Sequence, residues 1–267
     1  MPEGDTVYLA AKNLRAALAG ETLTRCDIRV PAFATVDLTG ERVDEVVSRG
    51  KHLLMRVGDA TIHTHLKMEG AWHVYRHGSA WRRPAWRARI ILENAERVAV
   101  GFDLGIVEVV PRTAEAEVVG HLGPDLLGPD WDPDAAVANL AAQPDRAIGV
   151  AVLDQRNLAG LGNVYRSEVC FLRGVLPSRR VGDVSDLPGL VALAHRLIAA
   201  NKDRHHRTTT GSLRRDPLWV YGRRGRPCLR CGTGIRTDEA FGEASSGGGS
   251  PGGGQERVVY WCPHCQT

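Results

Sequence analysis

Two Cys-x-x-Cys pairs near the end of the chain constrain its folding more than any other feature. Cys228 and Cys231 form the first pair, and Cys262 and Cys265 form the second. Each pair turns tightly enough for both thiolates to chelate one metal ion, and four thiolates complete the tetrahedral coordination that Zn²⁺ prefers. The two pairs therefore predict one structural zinc ion per chain. Such a site has no open coordination position, so we expect the metal to stabilise the fold and to take no part in chemistry.

The spacing of the two pairs is unusual. The 30 residues between them exceed the usual gap of about 15–20 residues. Their middle, SSGGGSPGGG (245–254), is a low-complexity stretch that we expect to be a flexible loop at a hairpin tip, where extra length costs little closure entropy. A redox dithiol is the alternative interpretation, but two matched pairs without a βαβ pattern favour a metal. Cys26 and Cys170 stand alone in apolar surroundings and are predicted to be core residues.

The first residues, MPEGDTVYLAAKNLRAALAG, predict an amphipathic helix with an unusual start. The helix ends near Gly20, and its apolar stripe consists of Val7, Ala10, Ala11, Leu14 and Leu18. Pro2 is small enough for Met1 to be removed, which would leave a secondary amine at the head of the chain. The simpler interpretation is a frayed terminus that precedes a helix capped by Asp5.

Composition places the chain among ordinary globular proteins and excludes few functions. It is 43% hydrophobic and 24% charged, and its net charge of +3 indicates no particular partner. The sequence contains no apolar run long enough for a membrane helix and no signal-peptide pattern, so the cytoplasm is the expected location. A length of 267 residues allows two domains or one large one.

The order of strand and helix patterns predicts an α+β protein with several domains. Short β-branched or alternating segments between residues 21 and 110 predict a β-sandwich that follows the first helix: TLTRCDIRV, HLLMRV, ATIHTHL, RARIILE, RVAVGF and IVEVV. The predicted parts are an N-terminal sandwich domain (1–119), a Pro/Gly/Asp-rich linker (120–134), a helical domain (135–222) and the zinc-binding hairpin (223–267). Breaks in the helical pattern are expected at Gly160, Gly162 and Pro188.

Two further segments suit a phosphate-rich partner. Residues 204–230 contain eight arginines and one acid, and the arginines are interleaved with Trp219 and Tyr221. A basic cluster often only solvates a surface, but arginine combined with aromatic residues favours phosphate binding. The segment AGLGN (159–163) predicts a glycine turn that opens a helix at Asn163, where backbone N–H groups suit a phosphate. A plain bend between two helices is the alternative.

Taken in chain order, these motifs resemble the formamidopyrimidine-DNA glycosylase and endonuclease VIII family. The matching segments are PEG at the N-terminus, SRGKHLL (48–54), THLKMEG (64–70), LDQ…AGLGNVYRSE (153–168) and VYGRRGRPCLRCG…CPHCQ (220–266). The resemblance spans essentially the whole chain. It implies a helix-two-turns-helix in the helical domain, a zinc-finger hairpin at the end, and a bifunctional DNA glycosylase and AP lyase of base excision repair. PEG rather than PEL at the start resembles the endonuclease VIII branch, which prefers oxidised pyrimidines.

The resemblance also implies catalytic roles for three residues. Pro2, after loss of Met1, matches the nucleophile whose amine attacks C1′ of the sugar to form a Schiff base, from which β,δ-elimination cuts the strand. Glu3 matches the general acid/base that protonates the sugar ring oxygen. Lys51, which follows Gly50 in a predicted hairpin, matches a lysine that contacts the phosphate beside the lesion.

The family's DNA contacts imply three more site residues. Asn163 and Arg257 match residues that grip the phosphates flanking the flipped nucleotide, and Met68 matches the apolar wedge that fills the vacated stack. A core filler is the alternative role for Met68. Family members often carry an arginine after the strand RVAVGF, and none stands between Gly101 and Val110. We therefore expect weak discrimination of the opposite base and good activity on single-stranded or bubble DNA.

The expected partner is damaged DNA, held by a monomer in a basic cleft between the lobes, without membrane attachment. Two alternatives remain open from the sequence. A formamidopyrimidine-type enzyme would act on oxidised purines instead. A non-catalytic zinc-ribbon protein would bind DNA through the arginine cluster and the glycine turn, and would not use the amine of Pro2.

Overall fold

The computed structural model describes residues 2–242 and 258–267, which divide into two compact units, Met1–His121 and Leu122–Thr267. Both units contain sheets and helices, so the predicted α+β fold class is confirmed. The Gly/Ser stretch 245–254 and Arg257 lie outside the described residues. The predicted limits of the linker, the helical domain and the hairpin stay predictions.

The first unit opens with helix α1 (Gly4–Leu18), whose predicted apolar stripe is largely buried. Glu3 occupies the N-cap position, and its backbone N–H donates to Thr6 Oγ1 at 3.4 Å. Asp5 lies in the first turn and accepts the Thr6 N–H at 2.8 Å. The interpretation of Asp5 as the cap is therefore wrong, because the helical backbone already begins at Gly4.

Two four-stranded antiparallel sheets form the rest of this unit, as predicted. In spatial order, the first sheet contains β1 (Arg25–Ile28), β6 (Ala88–Glu93), β7 (Arg97–Phe102) and β5 (Ala71–Arg76). The second contains β2 (Val43–Arg49), β3 (His52–Val57), β4 (Ala60–His65) and β8 (Ile106–Pro111). A short helix, α2 (Glu115–Val119), follows β8.

Helix α1 and both sheets bury one main hydrophobic cluster. Leu14 and Leu18 of α1 pack in it with Leu53, Ile62 and Ile90 from the strands. Each such side chain stabilises the fold by about 1.5–3 kcal/mol relative to an exposed one. The Arg15 side chain also donates from Nε to the carbonyl of Val46 at 2.8 Å, which fixes α1 on β2.

The second unit is mainly helical. Its helices are α3 (Pro133–Ala141), α4 (Ile148–Ala151), α5 (Asn163–Leu172) and α6 (Leu187–Asn201). The predicted breaks at Gly160 and Gly162 precede α5, and Pro188 lies in the first turn of α6, where a missing N–H is tolerated. Cys170 is buried in the core of these helices, and Cys26 packs against the core of the first unit, both as predicted. Among the described helices, none is both long and apolar enough to cross a bilayer.

A two-stranded antiparallel hairpin ends the second unit. Strand β9 (Arg236–Asp238) pairs with β10 (Val259–Trp261), so that Tyr260 lies opposite Thr237. Tyr260 and Trp261 thus lie on the returning strand, as predicted. The hairpin shares a small hydrophobic cluster with helix α5: Phe171, Val220, Cys228, Ile235 and Cys262.

Candidate active site

The start of the chain leads directly into α1. Pro2 is half-buried, and the Glu3 side chain has 0% of its surface exposed. The backbone at Glu3 is extended, with φ −125° and ψ −173°, and it becomes helical at the next residue. Pro2 is therefore attached to the start of a helix, next to the buried Glu3. A nucleophile and a proton donor need to be held in fixed positions in this way.

Lys51 lies at the tip of the hairpin between β2 and β3. Arg49 pairs with His52, so Gly50 and Lys51 form a two-residue loop. Gly50 has φ +58°, a conformation that glycine adopts without strain. The predicted hairpin is confirmed, and its register fixes where the Lys51 backbone lies. The contact of Lys51 with a phosphate stays a prediction.

A chain of hydrogen bonds behind this hairpin was not predicted from the sequence. Nδ1 of His52 lies 2.9 Å from Nε2 of His63, and Nδ1 of His63 lies 3.0 Å from Oε2 of Glu108. The Glu108 carboxylate accepts a hydrogen bond from the N–H at His63 Nδ1, which leaves His63 Nε2 as the acceptor for the N–H of His52. The sequence signal for this chain of hydrogen bonds was the high density of histidines in KHLLMRV and ATIHTHL. These two segments form adjacent strands, which bring the histidines together.

Burial keeps His52 and its strand partner His65 neutral near pH 7. Burial lowers the pKa of His52 to about 3, and the neighbouring His63, His121, Lys67 and Lys51 add to the effect. Burial also lowers the pKa of His65 to about 3, and His52, Lys67, Lys51 and His63 add to the effect. The sheet therefore presents hydrogen-bonding rings without charge beside the two lysines.

Met68 lies in the turn between β4 and β5. It is half-buried and belongs to neither hydrophobic cluster of the described first unit, whereas Met55 is fully buried in the main cluster. The turn is held by the backbone N–H of Lys67, which donates to His65 Nδ1 at 2.9 Å. This position suits a wedge better than a core filler, and the wedge role stays a prediction.

The glycine turn that precedes Asn163 is braced by one side chain. Gln155 accepts the Gly160 N–H at 3.0 Å and donates to the carbonyl of Leu161 at 3.0 Å. Gly160 has φ +103°, so the turn requires glycine there. Asn163 is buried at the first position of α5, as the sequence predicts. Backbone N–H groups at such a helix start suit an anion.

Helix α5 also binds the zinc hairpin to this turn. Ser167 Oγ donates to the Asn163 carbonyl at 3.0 Å and accepts the Tyr260 N–H at 3.4 Å. Arg166 donates from Nη2 to the carbonyl of Val258 at 2.7 Å. The hairpin and the helix start are thus one hydrogen-bonded assembly. Sequence reasoning matched the motif YRSE but did not identify these contacts.

Glu168, the last residue of that motif, organises the loop before the zinc site. It is fully buried and accepts the backbone N–H groups of Trp219, Val220 and Tyr221 at 2.8–2.9 Å. The hydroxyl of Thr209 donates to the same carboxylate. One side chain therefore satisfies three backbone donors of a segment that has no regular secondary structure.

The four cysteines lie in a geometry that fits zinc. Their Sγ atoms all lie within 4.8 Å of one another, with Cys231–Cys262 at 3.5 Å and Cys228–Cys265 at 4.0 Å. These distances are too long for disulfides, which need about 2.05 Å. A tetrahedral site with Zn–S bonds of about 2.3 Å has sulfur atoms about 3.8 Å apart. The cluster can therefore bind one structural zinc, as predicted.

Part of the arginine stretch 204–230 has a structural role. Arg223 is buried and pairs with Asp216, and Arg230 lies over the Phe171 ring at 4.6 Å. Arg214 and Arg215 are exposed. The stretch is therefore less available for phosphate binding than its composition indicates. Arg257, the predicted phosphate contact of the hairpin, lies outside the described residues.

Comparison with known proteins covers both units. Residues 1–102 match the formamidopyrimidine-DNA glycosylase N-terminal domain, and residues 122–199 match its H2TH domain. The chain is 54% identical over 268 residues to the DNA-(apurinic or apyrimidinic site) lyase Nei2 of Mycolicibacterium smegmatis, covering 100% of this chain and 99% of the relative. Endonuclease 8 2 of Mycobacterium tuberculosis is 54% identical over 271 residues, with 100% of both chains covered.

The solved structures agree with the sequence relatives. Lactococcus lactis formamidopyrimidine-DNA glycosylase, bound to DNA that contains an AP site, has a TM-score of 0.77 to this chain. The match covers 99% of each chain at 20% identity. At this identity the likeness shows a shared fold.

Proposed function

Because the chain belongs to the formamidopyrimidine-DNA glycosylase and endonuclease VIII family, we propose that it is a bifunctional DNA glycosylase and AP lyase that removes oxidised pyrimidines during base excision repair. The names of the two 54% identical relatives, an AP-site lyase and an endonuclease 8, support the lyase activity and the endonuclease VIII branch. The observation that carries the mechanism is the pair Pro2–Glu3, mounted on the first turn of α1 with Glu3 fully buried.

The reaction begins at the amine of Pro2 once Met1 has been removed. The nitrogen forms a bond to C1′ of the sugar and loses its proton, while the C1′–base bond breaks. The base leaves with the electron pair of that bond and takes up a proton in its place. Glu3 gives a proton to the ring oxygen, so that the sugar opens and a cationic Schiff base remains. That cation acidifies the C2′ proton, and loss of this proton expels the 3′ phosphate. Loss of a second proton, from C4′ of the conjugated product, then expels the 5′ phosphate.

The other predicted site residues bind DNA. Lys51 contacts the phosphate beside the lesion, and Asn163 and Arg257 contact the phosphates that flank the flipped nucleotide. Met68 fills the space from which the base has left, which offsets part of the few kcal/mol that base flipping costs. Zinc, when bound by the four cysteines, holds the hairpin in its fold. We expect the enzyme to act as a monomer in the cytoplasm.

Trapping with borohydride tests this mechanism. The protein is mixed with a DNA duplex that contains one abasic site, and borohydride reduces any Schiff base to a stable amine. We expect a one-to-one covalent complex whose mass spectrum places the DNA on Pro2 and shows no Met1. A protein with one extra residue ahead of Pro2 is the matched control and should give no complex. A wild-type protein that binds this DNA but is never trapped would support the non-catalytic alternative.

A panel of lesions tests the substrate class. Thymine glycol, dihydrouracil and oxidised guanine are each placed opposite all four bases and in a bubble. We expect kcat/KM for the two pyrimidines to exceed that for guanine by about tenfold or more, with little effect of the opposite base. Faster removal of oxidised guanine would assign the enzyme to the purine-specific alternative instead.

A further inference from the structure

The loop between β5 and β6 holds a tryptophan out in solvent. This loop (77–87) contains Trp86, whose surface is 82% exposed, the highest value among the large hydrophobic residues of the described ranges. An exposed indole forgoes the stabilisation that burial of a large aromatic ring would give. The same loop contains a second copy of the tripeptide Ala-Trp-Arg, and its Trp81 packs on Phe102 with ring centroids 5.8 Å apart. The first unit therefore partly buries one tryptophan of this loop and leaves the other exposed.

The backbone that carries Trp86 is fixed by one carboxylate. Oδ1 of Asp103 accepts from Arg87 Nε at 2.8 Å, and Oδ2 accepts from Arg83 Nη1 at 2.6 Å. The Asp103 N–H also donates to the Arg87 carbonyl at 3.0 Å. Pro84 precedes the single 3₁₀ turn in which Trp86 lies. The indole is thus held outward by a rigid turn, and an interaction with its ring costs little ordering entropy.

This loop is joined to the turn that carries Met68. Arg83 Nη1 donates to the carbonyl of Glu69 at 2.8 Å. The turn after β7 packs against the turn that carries Met68. Gly105 lies so close to Lys67 that a Cβ atom added at Gly105 would be only 2.2 Å from Cγ of Lys67. Trp86 therefore belongs to one continuous surface with the proposed wedge, which we call the three-turn surface (67–69, 77–87 and 103–105).

The charges around Trp86 are mostly positive. Arg82 is exposed in the same loop, and the guanidinium of Arg87 lies 5.8 Å from the centre of the Trp86 ring. Arg29, the residue after β1, pairs with Asp27 and donates to the carbonyl of Ala85 at 3.1 Å. Two carboxylates contact this loop in the described residues: Asp103 is shared by two arginines, and Glu93 Oε2 lies 3.8 Å from Nδ1 of His77 at the start of the loop. A rigid aromatic ring among cations suits a nucleobase with its phosphate, since every base has a stacking face.

We propose that Trp86 stacks on an unpaired nucleobase of the bound DNA. This inference rests on the proposed function, because it takes the occupant of the three-turn surface to be DNA. Bases inside a duplex already stack on their neighbours, so only an unpaired base offers a free face. The contribution of Trp86 is therefore largest on single-stranded and bubble substrates, and it is independent of the nucleophile at Pro2.

Three variants separate stacking from other effects. Trp86→Leu keeps an apolar side chain but removes the π face, Trp86→Phe keeps a smaller π face, and Arg82→Ala removes one exposed charge from the same loop. Dissociation constants are measured by fluorescence anisotropy at several salt concentrations. The probes are a single-stranded oligonucleotide, a bubble with a tetrahydrofuran abasic analogue, and the matching duplex.

For Trp86→Leu we expect binding to the single-stranded oligonucleotide and to the bubble to weaken about fivefold to a hundredfold. Binding to the duplex should weaken less. Trp86→Phe should regain most of the loss. The slope of log affinity against log salt should stay unchanged in Trp86→Leu, since no phosphate contact is lost, and should fall by about one unit in Arg82→Ala. Unchanged thermal unfolding of all three variants verifies that the loop substitutions leave the fold intact.

Two results would overturn the proposal. One is that Trp86→Leu binds the single-stranded oligonucleotide and the bubble with the same affinity as the wild type. The same result is expected if the surface binds a protein. The other is an equal loss in the Leu and Phe variants, because apolar contact without stacking would explain it. Borohydride trapping of Trp86→Leu at saturating abasic DNA distinguishes the stacking proposal from the proposed lyase mechanism. A wild-type protein that cannot be trapped, combined with weakened single-strand binding of Trp86→Leu, would reject the lyase mechanism and support the stacking site.

Discussion

Glu168 illustrates how one residue determines the position of a whole segment. Its buried carboxylate replaces the backbone partners that residues 219–221 would have in a sheet or helix. Buried N–H groups without an acceptor cost about 1–3 kcal/mol each, so this single side chain removes a large penalty. The segment it holds leads directly into the first zinc-binding pair.

Replacing Glu168 with glutamine should destabilise the second unit. The amide keeps one acceptor oxygen, but its NH₂ group faces N–H donors that it cannot satisfy. We expect the free energy of unfolding to fall by on the order of 2–3 kcal/mol, measured by urea denaturation. Glu117→Gln, an exposed substitution on α2, is the matched control and should change it by less than about 0.5 kcal/mol. Equal stability of the two variants would contradict the assigned role.

At the residue scale the sequence was informative where chemistry requires a particular residue type. The four cysteines could be assigned from spacing alone, because thiolate geometry limits how a metal site is built. Pro2 and Glu3 could be assigned only through resemblance, since an isolated Pro-Glu has no pattern. The cap at Asp5 was predicted incorrectly because acids are common at both the N-cap and the first turn, and only the backbone distinguishes them.

At the scale of elements, the sheet β2–β3–β4–β8 brings together histidines that are distant along the chain. His63 on β4 lies directly opposite Glu108 on β8, and His52 on β3 lies opposite His65 on β4. The strand register therefore creates the hydrogen-bonded chain behind the Lys51 hairpin. A shift of one residue in either pairing would turn these side chains to the other face of the sheet.

This arrangement predicts how stability depends on pH. The pKa values of His52 and His65 are about 3 in the folded protein and about 6.5 in an ordinary environment. Below pH 6.5 the unfolded chain binds protons that the folded chain excludes, so the stabilisation present at neutral pH is lost as the pH falls towards 3. We expect the free energy of unfolding to fall by about 1–2 kcal/mol per histidine between pH 6.5 and 5.

Urea denaturation across that pH range measures the effect before most carboxylates titrate. His52→Gln removes one of the two groups and should make the dependence on pH shallower. His205→Gln, an exposed histidine of the second unit, is the control and should leave it unchanged. A slope for His52→Gln equal to that of the wild type would show that its ring titrates normally.

Element prediction succeeded for regular patterns and failed for irregular strands. Six strand segments were found from alternation or β-branched runs, but β2 and β5 were not. In β2 a bulge between Val43 and Glu45 breaks the period of two, so buried residues do not alternate. In β5 five of six residues are half-buried, so the two faces of this strand do not differ in burial.

At the scale of the whole molecule, the zinc site should affect the two units differently. Cys228 and Cys262 pack with Phe171, Val220 and Ile235 in the second unit, whereas the main core of the first unit lies between α1 and the sheets. Removing the metal leaves four thiols without the ion that would bind them to one another. Structural zinc contributes folding free energy directly.

We expect a zinc chelator to lower the melting temperature of the second unit by roughly 10 °C or more, with less effect on the first. Differential scanning calorimetry of the full chain, with and without chelator, measures both transitions. Cys228→Ser should reproduce the effect of the chelator, and Cys26→Ser should retain zinc binding. An unchanged thermogram after verified metal loss would show that the four thiols pack stably without the ion.

The overall architecture was predicted more completely than the contacts that make it function. The resemblance spans the whole chain, and so do the relatives at 54% identity. The three-turn surface, the histidine chain and the contacts of Glu168 could not be predicted, because each depends on which loops and strands lie side by side. Arg83 and Asp103, for example, are separated by 20 positions and meet only through the fold.

The outward-facing indole of Trp86 also gives the molecule an intrinsic optical label. Of the six tryptophans in the chain, this one has the most water around it. Its emission should therefore be the most red-shifted and the most readily quenched by iodide ions. A base that covers the ring would shield it from iodide, so light emitted by the unlabelled protein can follow occupancy of this site in real time.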